Sequence, residues 1–277
     1  MMTAQPAESP TGQRAATATD ESLVLRHDQD GVATLTLNRP KQYNALSEEM
    51  LAALQGELDA LAADKTVRVV VLAGAGKAFC AGHDLKQMRA KPDQAYYERL
   101  FAQCSRMMRS LLALPQPVIA RVHGVATAAG CQLVASCDLA VASTEARFAT
   151  SGIGVGLFCM TPGVALSRNL GRKRAFEMLF TGDFVDAETA LELGLVNRVA
   201  APEALDEEVA ALAERIVSKS GAAIAAGKRV FYRQLEMDLE QAYDYAAREM
   251  ACNMMFADAA EGIDAFIEKR KPVWTHR

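Results

Sequence analysis

The chain has 277 residues, of which 51% are hydrophobic and 23% are charged, and its formal net charge at pH 7 is −4. This composition is typical of a soluble globular protein and excludes collagen, coiled coils and general disorder. No apolar run approaches the roughly 20 residues of a membrane-spanning helix, and no basic stripe indicates a nucleic acid or an anionic membrane as a partner. A length of about 150 residues per domain suggests two domains, although one core with a smaller appendage fits equally well.

The composition of the first 21 residues and the pattern of cysteines indicate the cellular compartment in which the protein is expected. Residues 1–21 are rich in Ala, Thr, Pro and polar residues, which predicts a disordered leader without a secretory signal. A mitochondrial leader is the alternative, although Arg14 is its only basic residue. Six cysteines without a CxxC motif argue against a structural metal site, and none is predicted. Cys131, Cys137 and Cys159 stand among apolar or small residues, which predicts reduced core thiols in the cytoplasm, or in the mitochondrial matrix of a eukaryote.

Hydrophobic periodicity predicts alternating strands and helices through the first 200 residues. Ser47 is placed to cap the helix that follows it. The predicted elements in chain order are a strand at 32–37, a helix from Ser47 to about Ala63, a strand at 67–72, a helix at 94–114, a strand at 118–122, a short helix at 130–136, strands at 139–142 and 146–148, a helix at 162–180 interrupted at Gly171, and a helix at 187–193 capped by Gly194.

The sequence becomes mostly helical after residues 196–199. Strands that alternate with helices, followed by helices alone, predict an α/β fold with a helical C-terminal region. We therefore divide the chain into the leader, an α/β core at 22–200 and a helical region at 201–277.

Two glycine-flanked junctions are candidates for chemistry. In the first, Gly82 allows the backbone to turn so that the amide of His83 points into a cavity, and Asp84 can cap the following helix. In the second, the small residues at 124–130 let another molecule approach the main chain before a helix begins. Two amides from two such junctions can stabilise a carbonyl that becomes an enolate. Close packing of strand against helix explains the same glycines without any ligand.

Several single side chains have competing interpretations. The imidazole of His83 is a possible acid or base, whereas His123, at a strand end, is interpreted as structural. Asp138 lies in an apolar stretch and is expected to form structural hydrogen bonds. Lys41 and Lys86 can bind phosphate as point charges, although surface lysines often have no specific partner.

Six segments of the chain, in the same order, resemble the crotonase, or enoyl-CoA hydratase/isomerase, superfamily. The resemblance runs from about residue 22 to the C-terminus. The segments are LNRPKQYNALSEEM (37–50), GAGKAFCAGHDLKQM (74–88), PVIARVHGVATAAGCQLVASCDLAVAS (117–143), EMLFTG (177–182), ALELGLVNRV (190–199) and EGIDAFIEKRKP (261–272).

The resemblance implies a fold, a ligand and an assembly. The fold would be a spiral of β-β-α turns with a helical C-terminal region used in trimerisation, and hexamers of two trimers are usual. The ligand would be an acyl-CoA thioester, so that coenzyme A enters as part of the substrate and no separate cofactor is expected. The amides of His83 and Ala129 would hold the thioester oxygen in an oxyanion hole.

The resemblance also implies residues that contact coenzyme A. Phe266 and Lys269 match positions that reach the coenzyme A of a neighbouring subunit in some members, and a lysine near the phosphates suits a ligand with several negative charges. The positions that match the family's coenzyme A route within one subunit are Lys41, Tyr43, Ala45, Leu85 and Lys86.

The chain departs from the hydratase pattern at both catalytic glutamates. Gln132 stands where the first glutamate of a G-C-E-L segment would be, and Gly152 stands where the second, in F-G-x-P-E, would be. The amide of Gln132 can orient water but cannot cycle a proton near neutral pH. General acid–base catalysis contributes about 10²–10⁴ per group, so most of the ordinary hydration rate should be lost.

Three hypotheses therefore remain open. The chain is an acyl-CoA enzyme of the crotonase type that uses the amides of His83 and Ala129 with Gln132, in metabolism of fatty acids or other acyl-CoA compounds. Alternatively, it is a non-catalytic acyl-CoA binder or sensor. The third hypothesis is a structural oligomer whose pocket is no longer used.

Overall fold

Ten strands in the computed structural model, which describes residues 22–277, form a six-stranded and a four-stranded sheet. The strands are β1 (Val24–Gln29), β2 (Val32–Leu37), β3 (Val69–Gly74), β4 (Ala78–Cys80), β5 (Val118–Val122), β6 (Val125–Thr127), β7 (Leu139–Ser143), β8 (Arg147–Ala149), β9 (Val185–Asp186) and β10 (Arg198–Ala200).

Eleven α-helices and three short 3-10 segments complete residues 22–277. The 3-10 segments span Pro40–Gln42, Ser151–Val155 and Pro202–Ala204. The helices are α1 (Glu48–Ala63), α2 (Leu85–Ala90), α3 (Gln94–Ala113), α4 (Ala129–Ala135), α5 (Met160–Asn169), α6 (Arg172–Thr181), α7 (Ala187–Leu193), α8 (Leu205–Val217), α9 (Gly221–Gln234), α10 (Leu239–Met254) and α11 (Ala257–Glu268).

The chain alternates between the two sheets as it advances. The larger sheet has the order β1-β2-β3-β5-β7-β10 and is parallel except for the first pair. The smaller sheet has the order β4-β6-β8-β9. β3 and β4, β5 and β6, and β7 and β8 therefore form successive turns that each place one strand in each sheet. This arrangement is the spiral of β-β-α turns that the family resemblance implies.

Most elements lie where the hydrophobic pattern predicted them. The side-chain oxygen of Ser47 accepts a hydrogen bond from the amide of Met50 at 3.2 Å and begins α1 as predicted. The interruption predicted at Gly171 within the helical stretch 162–180 is confirmed, because Leu170 and Gly171 separate α5 from α6. Five strands, β1, β4, β6, β9 and β10, were not assigned from the sequence; β9 and β10 have only two and three residues. β4 and β6 have only three residues each, too few to show a period, and β1 contains the polar run Arg26–Gln29.

The two faces of the larger sheet are covered by different elements. The main core lies on the side of α1 and α3, and includes the fully buried Phe79 and Phe148. On the opposite face, α8 packs Leu205, Val209 and Ala213 against the sheet.

The predicted structural role of Asp138 is confirmed. Its carboxylate accepts hydrogen bonds from Val118 N, Lys228 Nζ and Tyr232 Oη and so connects α9 to the core.

The C-terminal region is helical, as predicted, and carries many exposed apolar side chains. No helix within residues 22–277 is long and apolar enough to cross a membrane. The five cysteines between Cys80 and Cys159 are free and buried, in agreement with the predicted reduced thiols. The predicted leader at 1–21 lies outside the described residues.

Candidate functional site

Asn44 joins the loop before α1 to the loop around β4. Its backbone is left-handed (φ 56°) and its side chain is fully buried. Its Nδ2 donates to the carbonyl oxygens of Ala75 and Ala78, each at 2.8 Å, and of Phe79 at 3.1 Å. Its Oδ1 accepts from the amide of Arg39 at 2.9 Å. The side chain of Asn44 therefore connects two loops that are 31 residues apart in sequence, counted from Asn44 to Ala75.

Arg39 and Asp84 form a second link between the same loops. Arg39 donates to the carbonyl oxygen of Ala45 at 2.8 Å and to Asp84 Oδ2 at 3.1 Å. Asp84 Oδ1 accepts from the amides of Lys86 and Gln87 and caps α2 as predicted. Burial alone would raise the pKa of Asp84, but the Gln87 amide and the Arg39 guanidinium hold it below its ordinary value. Sequence reasoning missed Arg39 and Asn44, since their partners are brought near only by folding.

The His83 amide faces away from the loop that contacts it. Leu46 and His83 form an isolated parallel bridge, in which Leu46 N donates to Gly82 O at 2.7 Å and Asp84 N donates to Leu46 O at 3.2 Å. In a parallel bridge of this kind the N–H of His83 points to the opposite side. Among residues 22–277 it has no hydrogen-bond acceptor. Gly82 has φ 90°, a value that requires glycine here and makes the turn possible.

The Ala129 amide is left without an acceptor by a strained residue. Ala128 has φ 52° and ψ −120°, and its own amide donates to Ala149 O at 2.9 Å. A non-glycine residue in such a region is expected to cost about 1–3 kcal/mol. The next amide, that of Ala129, is the first of α4 and has no acceptor within the described part of the chain. This backbone turn therefore directs the Ala129 N–H out of the helix end.

The two junctions are in contact with each other. A Cβ placed on Gly82 would lie 3.2 Å from Ala129 N and 3.0 Å from the Cβ of Ala128. The glycines around the second junction have the close-packing role that was the alternative interpretation. A Cβ on Gly124 would lie 2.5 Å from Lys77 O, and one on Gly130 would lie 2.0 Å from Cys80 O. Close packing thus brings the two amides, from residues distant in sequence, to one place.

Two polar side chains beside these amides have unused hydrogen-bonding atoms. Gln132, on the first turns of α4, is 5% exposed, and its Oε1 is buried without a partner among residues 22–277. Both ring nitrogens of His83 are also buried, and the neighbouring polar group of the described chain is the Leu46 backbone, which favours the protonated ring without outweighing burial. The ring packs edge-on against Phe101, with centroids 5.4 Å apart. Burial lowers the pKa of His83, so the imidazole is neutral near pH 7.

The position of Gly152 is closed by its own loop. A Cβ there would lie 2.5 Å from Leu157 O and 2.8 Å from Cys159 Sγ. The nearby hydroxyls are already engaged: Thr127 and Ser151 share a hydrogen bond at 2.6 Å, and Thr150 donates to Met178 O at 2.6 Å. Burial raises the pKa of the Cys159 thiol, so it is not an activated nucleophile. Within residues 22–277 no group of His, Cys, Asp and Glu is arranged to hold a metal ion.

The predicted coenzyme A positions divide into two groups. Lys41, Tyr43 and Ala45 lie beside the first junction, because Ala81 N donates to Tyr43 O at 3.0 Å and Leu46 pairs with His83. Leu85 and Lys86 form the first turn of α2 next to them. The second group lies elsewhere. Phe266 is 85% exposed on α11 and Lys269 follows that helix, which packs mainly on α9 and α10. Their predicted contribution to a neighbouring subunit stays a prediction.

Comparison with known proteins places this arrangement in a family. The family described as Enoyl-CoA hydratase/isomerase matches residues 27–277. The chain therefore belongs to the enoyl-CoA hydratase/isomerase family, as the crotonase resemblance predicted. Among similar curated proteins, the human mitochondrial enoyl-CoA hydratase domain-containing protein 3 is 46% identical over 247 residues, covering 89% of this chain and 82% of that protein. The rat protein of the same name is 45% identical and covers 92% of this chain and 85% of its own length.

Solved structures of similar proteins share the fold. A crystal structure described as an enoyl-CoA hydratase of Mycobacterium smegmatis is 64% identical, has a TM-score of 0.91, and covers 92% of this chain and 99% of that one. The structure of human enoyl-CoA hydratase domain-containing protein 3 is 44% identical with a TM-score of 0.89, and covers 91% of this chain and 100% of that one. These similarities confirm the predicted α/β crotonase fold over nearly all the described residues.

Proposed function

We propose that this protein binds acyl-CoA thioesters and holds the thioester carbonyl oxygen between the amides of His83 and Ala129. The observation that carries the proposal is that two unpaired amides from distant segments are brought together, one by a glycine turn and one by a strained alanine. Buried amides are otherwise almost always paired. Two neighbouring N–H donors without acceptors suit a carbonyl oxygen that gains negative charge. Metabolism of fatty acyl or other acyl-CoA compounds is the corresponding role.

Coenzyme A itself would lie along the rim formed by the first group of predicted residues. Lys41 and Lys86 are exposed cations on neighbouring segments, and both can approach phosphates. Tyr43 and Ala45 lie between them and the His83 junction. The same links through Asn44 and Arg39 that join the loops would keep this rim in register with the two amides.

The reaction is proposed to differ from the hydration that two catalytic carboxylates perform in the family. Gln132 is neutral at every accessible pH, and Gly152 has no room for a side chain. The oxyanion arrangement can still stabilise an enolate, with Gln132 Oε1 available to accept a hydrogen bond from water or substrate. A non-catalytic acyl-CoA binder or sensor is the second candidate, because the nearby hydroxyls and the Cys159 thiol supply no evident base.

Binding of the thioester carbonyl is tested with two matched ligands. Butyryl-CoA has the carbonyl oxygen, whereas S-butyl-CoA, a thioether, lacks it. Two hydrogen bonds of about 0.5–1.5 kcal/mol each predict that calorimetry will find the thioester bound about 5- to 150-fold more tightly. Equal affinity would contradict the role of the amides. Binding of neither ligand would favour the structural oligomer.

Turnover separates the enzyme from the binder. The native chain is incubated with 2-enoyl-CoA substrates of several lengths, beside Gln132→Glu, which restores one carboxylate. The native chain is expected to hydrate the substrate no faster than buffer does, and the variant is expected to give a measurable rate. That result would support an intact oxyanion site whose natural role is not hydration. Turnover of roughly 1 per second or more by the native chain would contradict the proposed loss of hydration. Replacing Gly152 by Glu would be a poor control, since the Leu157 carbonyl occupies the space that its Cβ needs.

The compartment and assembly are part of the proposal. Free, buried cysteines and relatives named as mitochondrial support a reducing compartment, the cytoplasm or the mitochondrial matrix of a eukaryote. Exposed apolar side chains on α9–α11 support a homotrimer or a hexamer.

A further inference from the structure

The hairpin formed by α5 and α6 carries an open groove that the proposed function does not use. Only Leu170 and Gly171 separate the two helices, which fold back on each other. Phe158, just before α5, lies against Phe180 near the end of α6, with ring centroids 5.7 Å apart. The α5–α6 groove along this hairpin has a volume of about 790 Å³. Pockets that bind small molecules typically have about 300–1,000 Å³.

The α5–α6 groove is apolar at one end and cationic at the other. Met160 and Phe176 line the apolar part, and they are 74% and 45% exposed to solvent. Ser167, Arg168 and Arg172 line the other end, on either side of the two-residue linker. At 1.5 Å per helical residue, α5 spans about 12 Å between Met160 and Arg168. The groove therefore has the polarity and length that suit an amphiphile with one anionic head and a medium hydrocarbon chain.

Arg172 is the arginine at this end that lacks a partner. Arg168 lies 3.5 Å from the carboxylate of Glu236, whereas Arg172 forms no ion pair within residues 22–277. None of the described residues that line the groove is acidic. A guanidinium binds a carboxylate through two parallel hydrogen bonds. A concave groove of this size can hold one hydrocarbon chain, whereas a flat bilayer would contact only its rim.

We propose that the α5–α6 groove binds a medium-chain fatty-acid anion, with its carboxylate on Arg172 and its hydrocarbon chain along Phe176 and Met160. The charge of the groove selects the anion, because an alcohol or an alkylammonium ion of the same length lacks the group that pairs with Arg172. None of the residues that line this groove was assigned to coenzyme A or to the two amides. The inference is therefore independent of the proposed thioester site, and either can fail without the other.

The first test compares decanoate, decanol and decyltrimethylammonium by calorimetry, each below the concentration at which it forms micelles. One charge-assisted pair predicts that decanoate binds about tenfold more tightly than decanol, and that the cation binds least. Arg172→Gln should remove this preference and leave butyryl-CoA affinity unchanged. Lys173→Gln is the matched control, because it removes the adjacent exposed cation, which does not line the groove, and it should keep the preference.

A second measurement uses the native chain and does not depend on any variant folding. Affinity should rise by about fourfold for each methylene buried, from hexanoate to decanoate, and should level off once the chain exceeds the groove. Equal affinity for decanoate and decanol, or a preference retained in Arg172→Gln, would overturn the inference.

Two other occupants of the groove are distinguished in the same experiments. Binding of the native chain to vesicles of anionic phospholipid, without binding of decanoate, would assign the groove to a bilayer. Dissociation of the oligomer by Phe176→Ser in sedimentation, again without binding of decanoate, would assign the groove to a second copy of the chain. Either result would overturn the inference and leave the proposed binding of butyryl-CoA to be judged on its own test.

Discussion

At the residue scale, Asn44 is the most sensitive position near the candidate site. Its Nδ2 donates to three carbonyl oxygens, two of them buried and that of Ala75 half-buried, so Asn44→Ala would leave acceptors without a donor. An unpaired buried group costs about 1–3 kcal/mol, and we expect urea unfolding to give a free energy of unfolding lower by about 3 kcal/mol or more. Butyryl-CoA affinity should fall as well, because the two loops separate.

Asn38 offers a matched control for this prediction. Its Nδ2 makes a single bond, to Ser22 O at 2.9 Å, in a half-buried position. Asn38→Ala should therefore lower the free energy of unfolding by only about 1 kcal/mol and leave thioester affinity unchanged. Equal losses in the two variants would show that Asn44 does not hold the loops together.

The sequence could identify some of these residues but not their partners. Asp84 was predicted as a helix cap because a cap depends on residues that follow it directly. The amide of His83 was proposed from a local glycine pattern, whereas the amide of Ala129 was assigned through the family resemblance. The contacts of Asn44 and Arg39 join segments that only the folded chain brings together, and no local pattern records them. The close approach of Leu157 to Gly152 was equally invisible, because it depends on the path of one loop.

At the element scale, the buried carboxylate of Asp258 is one of the groups that hold the C-terminal tail, beside Glu261, which accepts from Val273 N at 2.7 Å, and Ser218 O, which accepts from Trp274 Nε1 at 2.8 Å. Asp258, at the start of α11, is 2% exposed and accepts hydrogen bonds from Thr275 N at 2.7 Å and from His276 N. Ser220, the cap of α9, donates to it as well. The tail after α11 is thereby connected to the beginnings of two helices.

This carboxylate makes the attachment of the tail dependent on pH. Burial alone would raise the pKa of Asp258, but the hydrogen bonds from Ser220, Thr275 and His276 lower it below the ordinary 3.8. A lowered folded-state pKa gives stability that is present above the unfolded value and is lost as pH falls through the folded value. Hydrogen exchange of the Thr275 and His276 amides, which donate to Asp258, corrected for intrinsic rates, should therefore show constant protection above about pH 4 and falling protection below it.

Asp258→Asn is the control for the tail, since it keeps the shape and removes the titration. Its tail should exchange faster at neutral pH, because an uncharged acceptor binds amides more weakly. Its protection should not change further in acid. An acid profile identical to that of the native chain would assign the loss of protection to another group.

The sequence predicted secondary-structure elements best where a hydrophobic pattern repeats over several turns. α1 and α3 each have several turns with one apolar face, and their predicted limits agree with the structure within one residue or so. β4, β6 and β9 have two or three residues each and exist through pairing with distant strands. Their existence follows from the spiral, which the family resemblance implied and local periodicity did not.

At the scale of the whole molecule, the exposed apolar side chains of the C-terminal region predict self-association. Leu239 and Tyr243 on α10, and Phe266 and Ile267 on α11, are all at least 70% exposed. A monomer would leave this apolar surface in water, which is unusual for a soluble protein. With a chain mass of 29.8 kDa, sedimentation should find a trimer or a hexamer, and a monomer at micromolar concentration would contradict the prediction.

In a self-associated form, Lys269 is predicted to bind the coenzyme A of a neighbouring subunit, a contact that one chain alone does not provide. If α11 reaches the coenzyme A of a neighbour, Lys269→Ala should weaken butyryl-CoA binding about tenfold, the effect of one charge-assisted phosphate contact. Lys271→Ala is the matched control, because it removes an equally exposed cation two residues away. The weakening should shrink at high salt, since phosphate contacts are screened. On dilution below the association range, the native chain should lose the same affinity and become indistinguishable from Lys269→Ala. Affinity that is unaffected by dilution, or equal in both lysine variants, would mean that each subunit completes its own site.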